Sequence, residues 1–478
     1  MRARALAAAA VALCACATAP RYQPPPQAAP AVWRDYAAMP ESTAADTPWW
    51  RIYRDTTLER LVRTALAQNT DLGAALERVT EARALLAAAR GARLPTLMAG
   101  GGYSRSETRL REEGLSVTSP SEYYTAQLAA GWELDVFGIQ RNYARSAAAS
   151  LQAAEEQRRG VALLVVASVA SAYVDLQATD QELQVVSRAL EARRGYLDTT
   201  KRRFDSTRAA ELDYRRAQAL YEAARETAID LREAAADAEN ALSLLLGRAP
   251  GAIPRTGSPG DQLLAAVPAG LPSSLVTRRP DVRTAERELA AAGADVGAAR
   301  AQLFPNLNLT AGLRWVRTPG TTTTTQGFTF PSTPTSTETI WTVTASISQP
   351  LFMGGRLLAD LRAAESHRRQ ALIAYEGTVL SALQDAENQL AAMRFAGERR
   401  TSADSQAAYA AAALRAAEDR YTAGTSPFLD VLDAQRTHLS AAMGAVTARQ
   451  RQADAVIGLY KALGGGWQED STATEPPR

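Results

Sequence analysis

Few residues in this chain carry chemistry, and their positions narrow it at once. Cysteine occurs only at Cys14 and Cys16, at the end of an N-terminal run that opens Met-Arg-Ala-Arg and turns apolar up to Val11-Ala12-Leu13. A basic start, a short apolar core and small exit residues read as a secretory signal over residues 1–15. Leu13-Cys14-Ala15-Cys16 fits a lipobox, with a large apolar residue and a small one placed correctly before Cys16. Acylation would make Cys16 a lipid-anchored N-terminus. Cys14 fits less well because Leu13 would directly precede it, and an ordinary signal peptide with incidental cysteines is the alternative.

The remaining candidates argue against catalysis. His367 and His438 are the only histidines; they fall in different long helical patterns with no ligand-spaced partners, so no metal site is expected. No glycine-rich phosphate loop or nucleophile elbow occurs. Gly464-Gly465-Gly466 follows a helix and precedes no Lys-Ser/Thr pair, so it reads as a terminator. The carboxylates are scattered over helix surfaces as solvated faces. The expectation is a protein that is not an enzyme and needs no cofactor. Net charge is +2, from 53 basic and 51 acidic residues, which gives no electrostatic reason to expect nucleic acid.

The elements that would position any site are long, Ala-rich helices. Val169, Leu176, Leu183, Leu190 and Leu197 recur every seven residues; Ala217, Ala224, Leu231, Ala238 and Leu245 continue the spacing after an interruption. Sustained heptads mean antiparallel coiled-coil packing. Helices of this kind extend roughly 70–90 Å at ~1.5 Å per residue. A second such pair surrounds 420–435, where Gly424, Ser426 and Pro427 interrupt the helix and make a hairpin tip. The tip is duplicated: Arg203, Phe204, Leu212, Asp213 and Gln218 align with Arg420, Tyr421, Leu429, Asp430 and Gln435. The first copy has Thr207 in place of glycine and Ala209-Ala210 in place of Ser-Pro. Asp430 and Asp433 follow the turn, where aspartate also serves as a cap or a solvated residue.

Between the helical blocks the period changes to two. Tyr124, Ala126, Leu128, Ala130, Trp132 and Leu134 alternate with polar or small residues, as do Leu307 to Trp315 and Trp341 to Ile347. The chain therefore divides into a signal (1–15), a Pro-rich tether (16–56), first-repeat helices (57–94), two strands (95–137) and a long hairpin (138–247, tip 203–213). A linker (248–272), second-repeat helices (273–304), two strands (305–350), a second hairpin (351–463, tip 420–433) and a tail (464–478) follow. Residues 318–337, rich in Thr, Pro and Ser, read as a solvated loop. No uninterrupted apolar run approaches the ~20 residues of a membrane helix, the best being 161–170. Any membrane crossing must use strands, and four strands of about ten residues cannot close a barrel, which starts at about eight. Several chains would have to share one. A dimer gives a tight eight; a trimer gives twelve and a lumen that long helices can continue, which favours three.

The chain resembles the outer-membrane factor family of bacterial efflux systems, the TolC/OprM type, most closely its lipoprotein branch. The resemblance rests on Cys16 followed by Pro20-Arg21-Tyr22-Gln23-Pro24-Pro25, on Trp132-Glu133-Leu134-Asp135-Val136-Phe137-Gly138, and on Val267 to Ser273 with Arg278-Arg279-Pro280-Asp281. Gly297-Ala298-Ala299-Arg300 with Phe304-Pro305, the 420–435 tip and Leu459 to Trp467 complete it, so nearly the whole mature chain is covered. It implies an α+β membrane protein: a trimer with a shared 12-stranded barrel, a 12-helix periplasmic α-barrel and an equatorial mixed region. It also implies outer-membrane localisation and export of drugs or other small compounds, with a periplasmic adaptor and an inner-membrane transporter of the resistance-nodulation-division type as partners. The channel of a protein-secretion system and a heavy-metal efflux channel are the alternatives.

The resemblance further implies roles for particular residues. Asp430 and Asp433 would line the constriction at the tunnel's periplasmic end, and Tyr421 would hold the gate helices closed. Gly424, Thr425 and Ser426 of the second tip, with Arg203, Phe204 and Thr207 of the first, would meet the adaptor. Tyr124, Trp132, Trp315 and Trp341 read as aromatics at the membrane interface, with packing inside a soluble sandwich as the alternative.

Overall fold

The computed structural model describes residue 33 and residues 49–112, 114–206, 210–255 and 278–465. The signal, Cys14, Cys16, most of the tether, Thr207, the linker from residue 256 and the tail from residue 466 lie outside the described residues. The order is a short 3-10 helix Trp49–Tyr53, α1 Thr56–Gln68, α2 Thr70–Gly91, β1 Thr96–Glu112, β2 Leu115–Leu134, α3 Ile139–Asp205 and α4 Glu211–Leu245. Then come α5 Pro280–Ala301, β3 Asn306–Thr318, β4 Thr321–Thr325, β5 Phe328–Thr333, β6 Ser336–Ser348, α6 Arg356–Thr422 and α7 Phe428–Ala462. The described residues cluster into two compact units, one within 80–152 and 287–373, the other within 33, 49–79, 153–255, 278–286 and 374–465.

The first unit is built on an antiparallel sheet. β2 pairs over residues 115–131 with β1 and over residues 124–134 with β3, which pairs in turn with β6. The long strands hold 17, 20, 13 and 13 residues, longer than the expected ten or so. One reason is that Gly100 and Gly102 sit inside β1 and leave room for side chains across the ladder. A Cβ on Gly100 would come within 3.3 Å of Gln127, and one on Gly102 within 3.2 Å of Thr125.

Residues 318–337 are not the loop expected from their composition. They form the β4–β5 hairpin, with β4 also pairing the far end of β2. Threonine is β-branched and suits a strand. Gln326 and Gly327 both have positive φ, at 50° and 85°, the two-residue turn that joins twisted strands.

The second unit is helical. Asp55 caps α1 by accepting hydrogen bonds from the amides of Thr57 and Leu58, and Asn69 caps α2 by accepting from those of Asp71 and Leu72. Its core joins Leu58, Val62, Val166, Val169, Tyr173, Leu176, Leu242, Val379, Val456 and Leu459. Trp49 stacks on Tyr460 at 5.4 Å between ring centres. Each fully buried side chain of this size contributes roughly 1.5–3 kcal/mol. Part of α3 is long and apolar enough to cross a membrane, which the sequence pattern did not suggest. Most of that stretch is buried, with Val165, Val166, Val169 and Val174 facing protein, so its hydrophobicity serves the core.

Arg279 locks α5 into this core. Its side chain is 10% exposed, and its guanidinium donates to both Asp281 carboxylate oxygens, to Asp385 and to the carbonyl of Ala462. Burial alone would push the Asp281 carboxyl up, but Arg279 holds it below the usual carboxylate range.

The end of α4 is equally specific. Gly247 has φ +67°, its amide donates to Leu244 O, and Arg248 N donates to Ser243 O, the bond pair of a glycine C-cap. A Cβ there would fall 2.0 Å from the carbonyl oxygen of Gln68. Gly247→Ala should therefore destabilise the second unit by more than the ~1–3 kcal/mol of a strained backbone alone. Gly251→Ala, with open space around it, should be near neutral. Thermal unfolding of the detergent-solubilised protein compares the two, and equal melting temperatures would contradict the packing described.

Candidate functional site

The second tip is set by one glycine. α6 ends at Thr422, Gly424 takes φ +73°, its amide donates to Tyr421 O, and Thr425 N donates to Arg420 O. This again is a glycine C-cap. Thr425 also donates its hydroxyl to Arg420 O at 3.0 Å. Pro427, at φ −71°, stands immediately before α7 and pre-sets its entry, and Phe428 is buried. Ser426 Oγ is buried without a partner. The first tip closes differently: Phe204 stacks on Tyr214 at 5.5 Å, 10° from parallel. The missing glycine of that copy is thus matched by an aromatic clasp.

The two tips are joined. Arg203 donates from Nη1 to the Tyr421 hydroxyl at 2.5 Å, and its guanidinium lies 5.3 Å from the centre of the Tyr421 ring. About two turns back along α3, Tyr196 donates its hydroxyl to Glu418 at 2.7 Å. Burial first, then this bond to Glu418, pushes the Tyr196 hydroxyl far above its ordinary pKa, so it stays a donor. Beneath the two links, Ala217, Phe428, Val431 and Leu432 form a small buried cluster with Tyr196, Leu197, Leu220 and Tyr421 around it. Arg203 and Tyr421, which sequence assigned to separate roles, therefore belong to one contact between α3 and α6.

Asp430 and Asp433 lie elsewhere on α7. Both are exposed and line a shallow groove of about 540 Å³ with Ala410 and Ala413 of α6 and Leu429, Ala434 and Thr437 of α7. Asp433 also pairs with Arg436 at 2.8 Å, an exposed bridge that contributes little. Helical spacing explains the split. Phe428, Val431, Leu432 and Gln435 take the buried face, which leaves 430, 433 and 437 on another.

The sheet gathers the four aromatics on one face. Its rows read Trp132–Leu309–Ala345, then Leu97–Ala130–Ala311–Val343, then Ala99–Leu128–Leu313–Trp341. Gly101–Ala126–Trp315–Thr339 and Tyr103–Tyr124–Arg317–Thr337 follow. Trp132 stands at one end of the apolar rows, Trp315 and Tyr124 near the other, and Trp341 in the middle. This face is open: Trp341 is 75% exposed and Ile347 71%. The opposite face carries Thr125, Gln127, Asn308, Thr310 and Thr342. A soluble sandwich would cover the apolar face with a second sheet, and none does so among the described residues.

Tyr196 and Glu418 were not legible in the sequence. Tyr196 stands one heptad before Arg203, which is a signal that both face one partner, but heptads do not say which helix supplies it. Among the described residues no group of His, Cys, Asp and Glu is spaced to hold a metal.

Comparison with known proteins agrees with this architecture. The outer membrane efflux protein family model matches residues 61–248 and again 271–465, one match to each repeat. The pyoverdine export outer membrane protein OpmQ of Pseudomonas aeruginosa is 33% identical over 451 residues, 93% of this chain and 92% of that protein. The toluene efflux pump outer membrane protein TtgI of Pseudomonas putida is 34% identical over 423 residues, 87% and 86% of the two chains. The open-state structure of the MtrE outer membrane channel of Neisseria gonorrhoeae superposes with a TM-score of 0.80 at 29% identity, covering 96% of this chain and 100% of that one. With both repeats matched by one family and full-length relatives on every side, this chain belongs to the outer membrane efflux protein family.

Proposed function

We infer that the protein is the outer-membrane exit duct of a tripartite efflux pump, passing small compounds from the periplasm to the outside. The observation that carries this reading is the sheet: one open apolar face, one polar face, and strands long enough to cross an outer membrane. Its outer strands β1 and β6 each pair on one side only among the described residues. In lipid, unpaired backbone groups are costly, so other copies must complete the ring. A homotrimer gives twelve long strands. Relatives of nearly equal identity are named for pyoverdine export and for toluene efflux, which favours small molecules and puts substrate choice elsewhere in the pump. A periplasmic adaptor at the tips and an inner-membrane transporter of the resistance-nodulation-division type complete the assembly. Acylation at Cys16 would add a lipid anchor to the barrel. Reconstitution tests the whole reading: the purified chain should run as a trimer in mild detergent and conduct in planar bilayers, and a non-conducting monomer would refute it.

The Arg203–Tyr421 and Tyr196–Glu418 bonds act as a latch between hairpins, with Asp430 and Asp433 forming an acidic constriction when three copies meet. Tyr196→Phe with Tyr421→Phe removes both hydroxyls without emptying the cluster. A charge-assisted bond contributes about 1.5–3 kcal/mol, and ~1.4 kcal/mol is a factor of ten. The double variant should open spontaneously at least about tenfold more often in single-channel recordings; an unchanged open fraction would remove the latch. Asp430→Ala with Asp433→Ala should weaken block by divalent cations, since nearby carboxylates concentrate them. Unchanged block would take the pair out of the constriction. Cys16→Ser should abolish labelling by radioactive palmitate, and labelling that persists would move the anchor to Cys14.

A further inference from the structure

The two ends of the apolar face differ in charge. At the end nearest the helices its rows hold Leu134, Leu307 and Ile347, with no basic residue. At the hairpin end the same face carries Arg317 on β3, level with Tyr103 and Tyr124, and Arg105, Arg109 and Arg111 on β1 past them. Alternation fixes this side: Ser104, Ser106 and Thr108 take the other face of β1. Two glutamates accompany the four arginines. Glu107 pairs with Arg109 at 2.7 Å, and Glu122 accepts the Tyr124 hydroxyl at 3.3 Å. Arg105, Arg111 and Arg317 are exposed and make no ion pair among the described residues.

Depth gives this cluster its meaning. From the Leu134 row to the Ala126 row the strand covers about 26 Å at ~3.3 Å per residue, or roughly 20 Å of membrane depth at a ~40° tilt. On the lipid-facing side just beyond that band, Arg317 in the Tyr124 row and Arg105 in the next row stand at headgroup level, whereas Arg109 and Arg111 lie about 10 and 15 Å of depth further out at the same tilt. The guanidinium fork matches a phosphate bidentately and is weakly hydrated, so it favours phosphate over water or carbonyl groups. We propose that Arg105 and Arg317, in adjacent rows beside the tyrosine pair, dock the phosphorylated headgroups of lipids in the outer leaflet. This rests on the reading of the sheet as part of an outer-membrane barrel. The tyrosine pair, 5.0 Å apart between ring centres, marks the level where acyl chains give way to headgroups.

The full-length protein, reconstituted in phosphatidylcholine nanodiscs doped with bis-phosphorylated lipid A or its dephosphorylated form, tests the proposal. Native mass spectrometry counts the lipid retained. Wild type should keep the phosphorylated lipid about tenfold over the other, and R105Q/R317Q should bring the ratio to within about twofold of parity. R314Q, on the opposite face, should leave the ratio as it is. Equal retention of both lipids by wild type, or an unchanged ratio in the double variant, overturns the docking site. Competition by millimolar inorganic phosphate would show a free-anion site and overturn the lipid assignment. If the double variant fails to assemble, single R105Q and R317Q variants should each lower the ratio. Conductance of the same preparations separates the two levels: a conducting protein without lipid preference keeps the channel and loses the docking site. One that neither inserts nor conducts loses both.

Discussion

Everything in the first unit depends on where the backbone hydrogen bonds of four long strands end. β2 over residues 124–131 and β3 over residues 307–317 are paired on both sides, but β1 and β6 each offer a row of amides and carbonyls to nothing among the described residues. Such an edge exposed to water invites aggregation; in lipid it is costlier still. The ring is therefore a requirement of hydrogen bonding before it is a pathway for solutes. Alternation then settles which side is which, because a one-residue slip would turn Gln127, Asn308 and Thr310 toward lipid and Leu128, Leu309 and Leu313 toward the lumen.

The second unit solves a different problem with the same duplicated sequence. Each repeat supplies one long hairpin, and thin Ala-rich seams let the helices approach closely: Ala217, Ala224 and Ala228 are buried on α4. Ala-rich seams do little to distinguish one register from another. Register comes instead from the few large or polar groups that fit in only one place. Phe428 under Tyr421, Arg279 against Asp281 and Asp385, and Trp49 on Tyr460 serve that purpose.

Periodicity made the helices and the principal strands readable, and the offset between repeats made the duplication readable. The β4–β5 hairpin was not, because Thr321 to Thr325 has no apolar alternation: neither face of that hairpin is a core. The Arg203–Tyr421 link was invisible for another reason. Each partner had an evident role in its own tip, and only the cross-helix register puts one against the other. The same register separates Tyr421 from Asp430 and Asp433, which the turn motif presents as one group.

The contact between the tips is balanced rather than simply strong. Burial of Phe428 and Val431 and the two hydroxyl bonds favour it. On the same seam of α7, however, both polar atoms of the Gln435 amide and Nδ1 of His438 are buried without partners. Each such group costs about 1–3 kcal/mol, which hydration would recover if α7 moved away. Opposing terms of similar size leave a small gap between the joined and separated states. A partner docking at the tips then needs only a few kcal/mol of differential affinity to change which state prevails, but it does need that difference: equal binding to both shifts nothing. Its recognition must include groups whose exposure changes on separation, and Arg203, Tyr421 and Glu418 meet that condition. Gly424 and Thr425 are exposed at the turn itself already, so contact with them would not tell the two states apart.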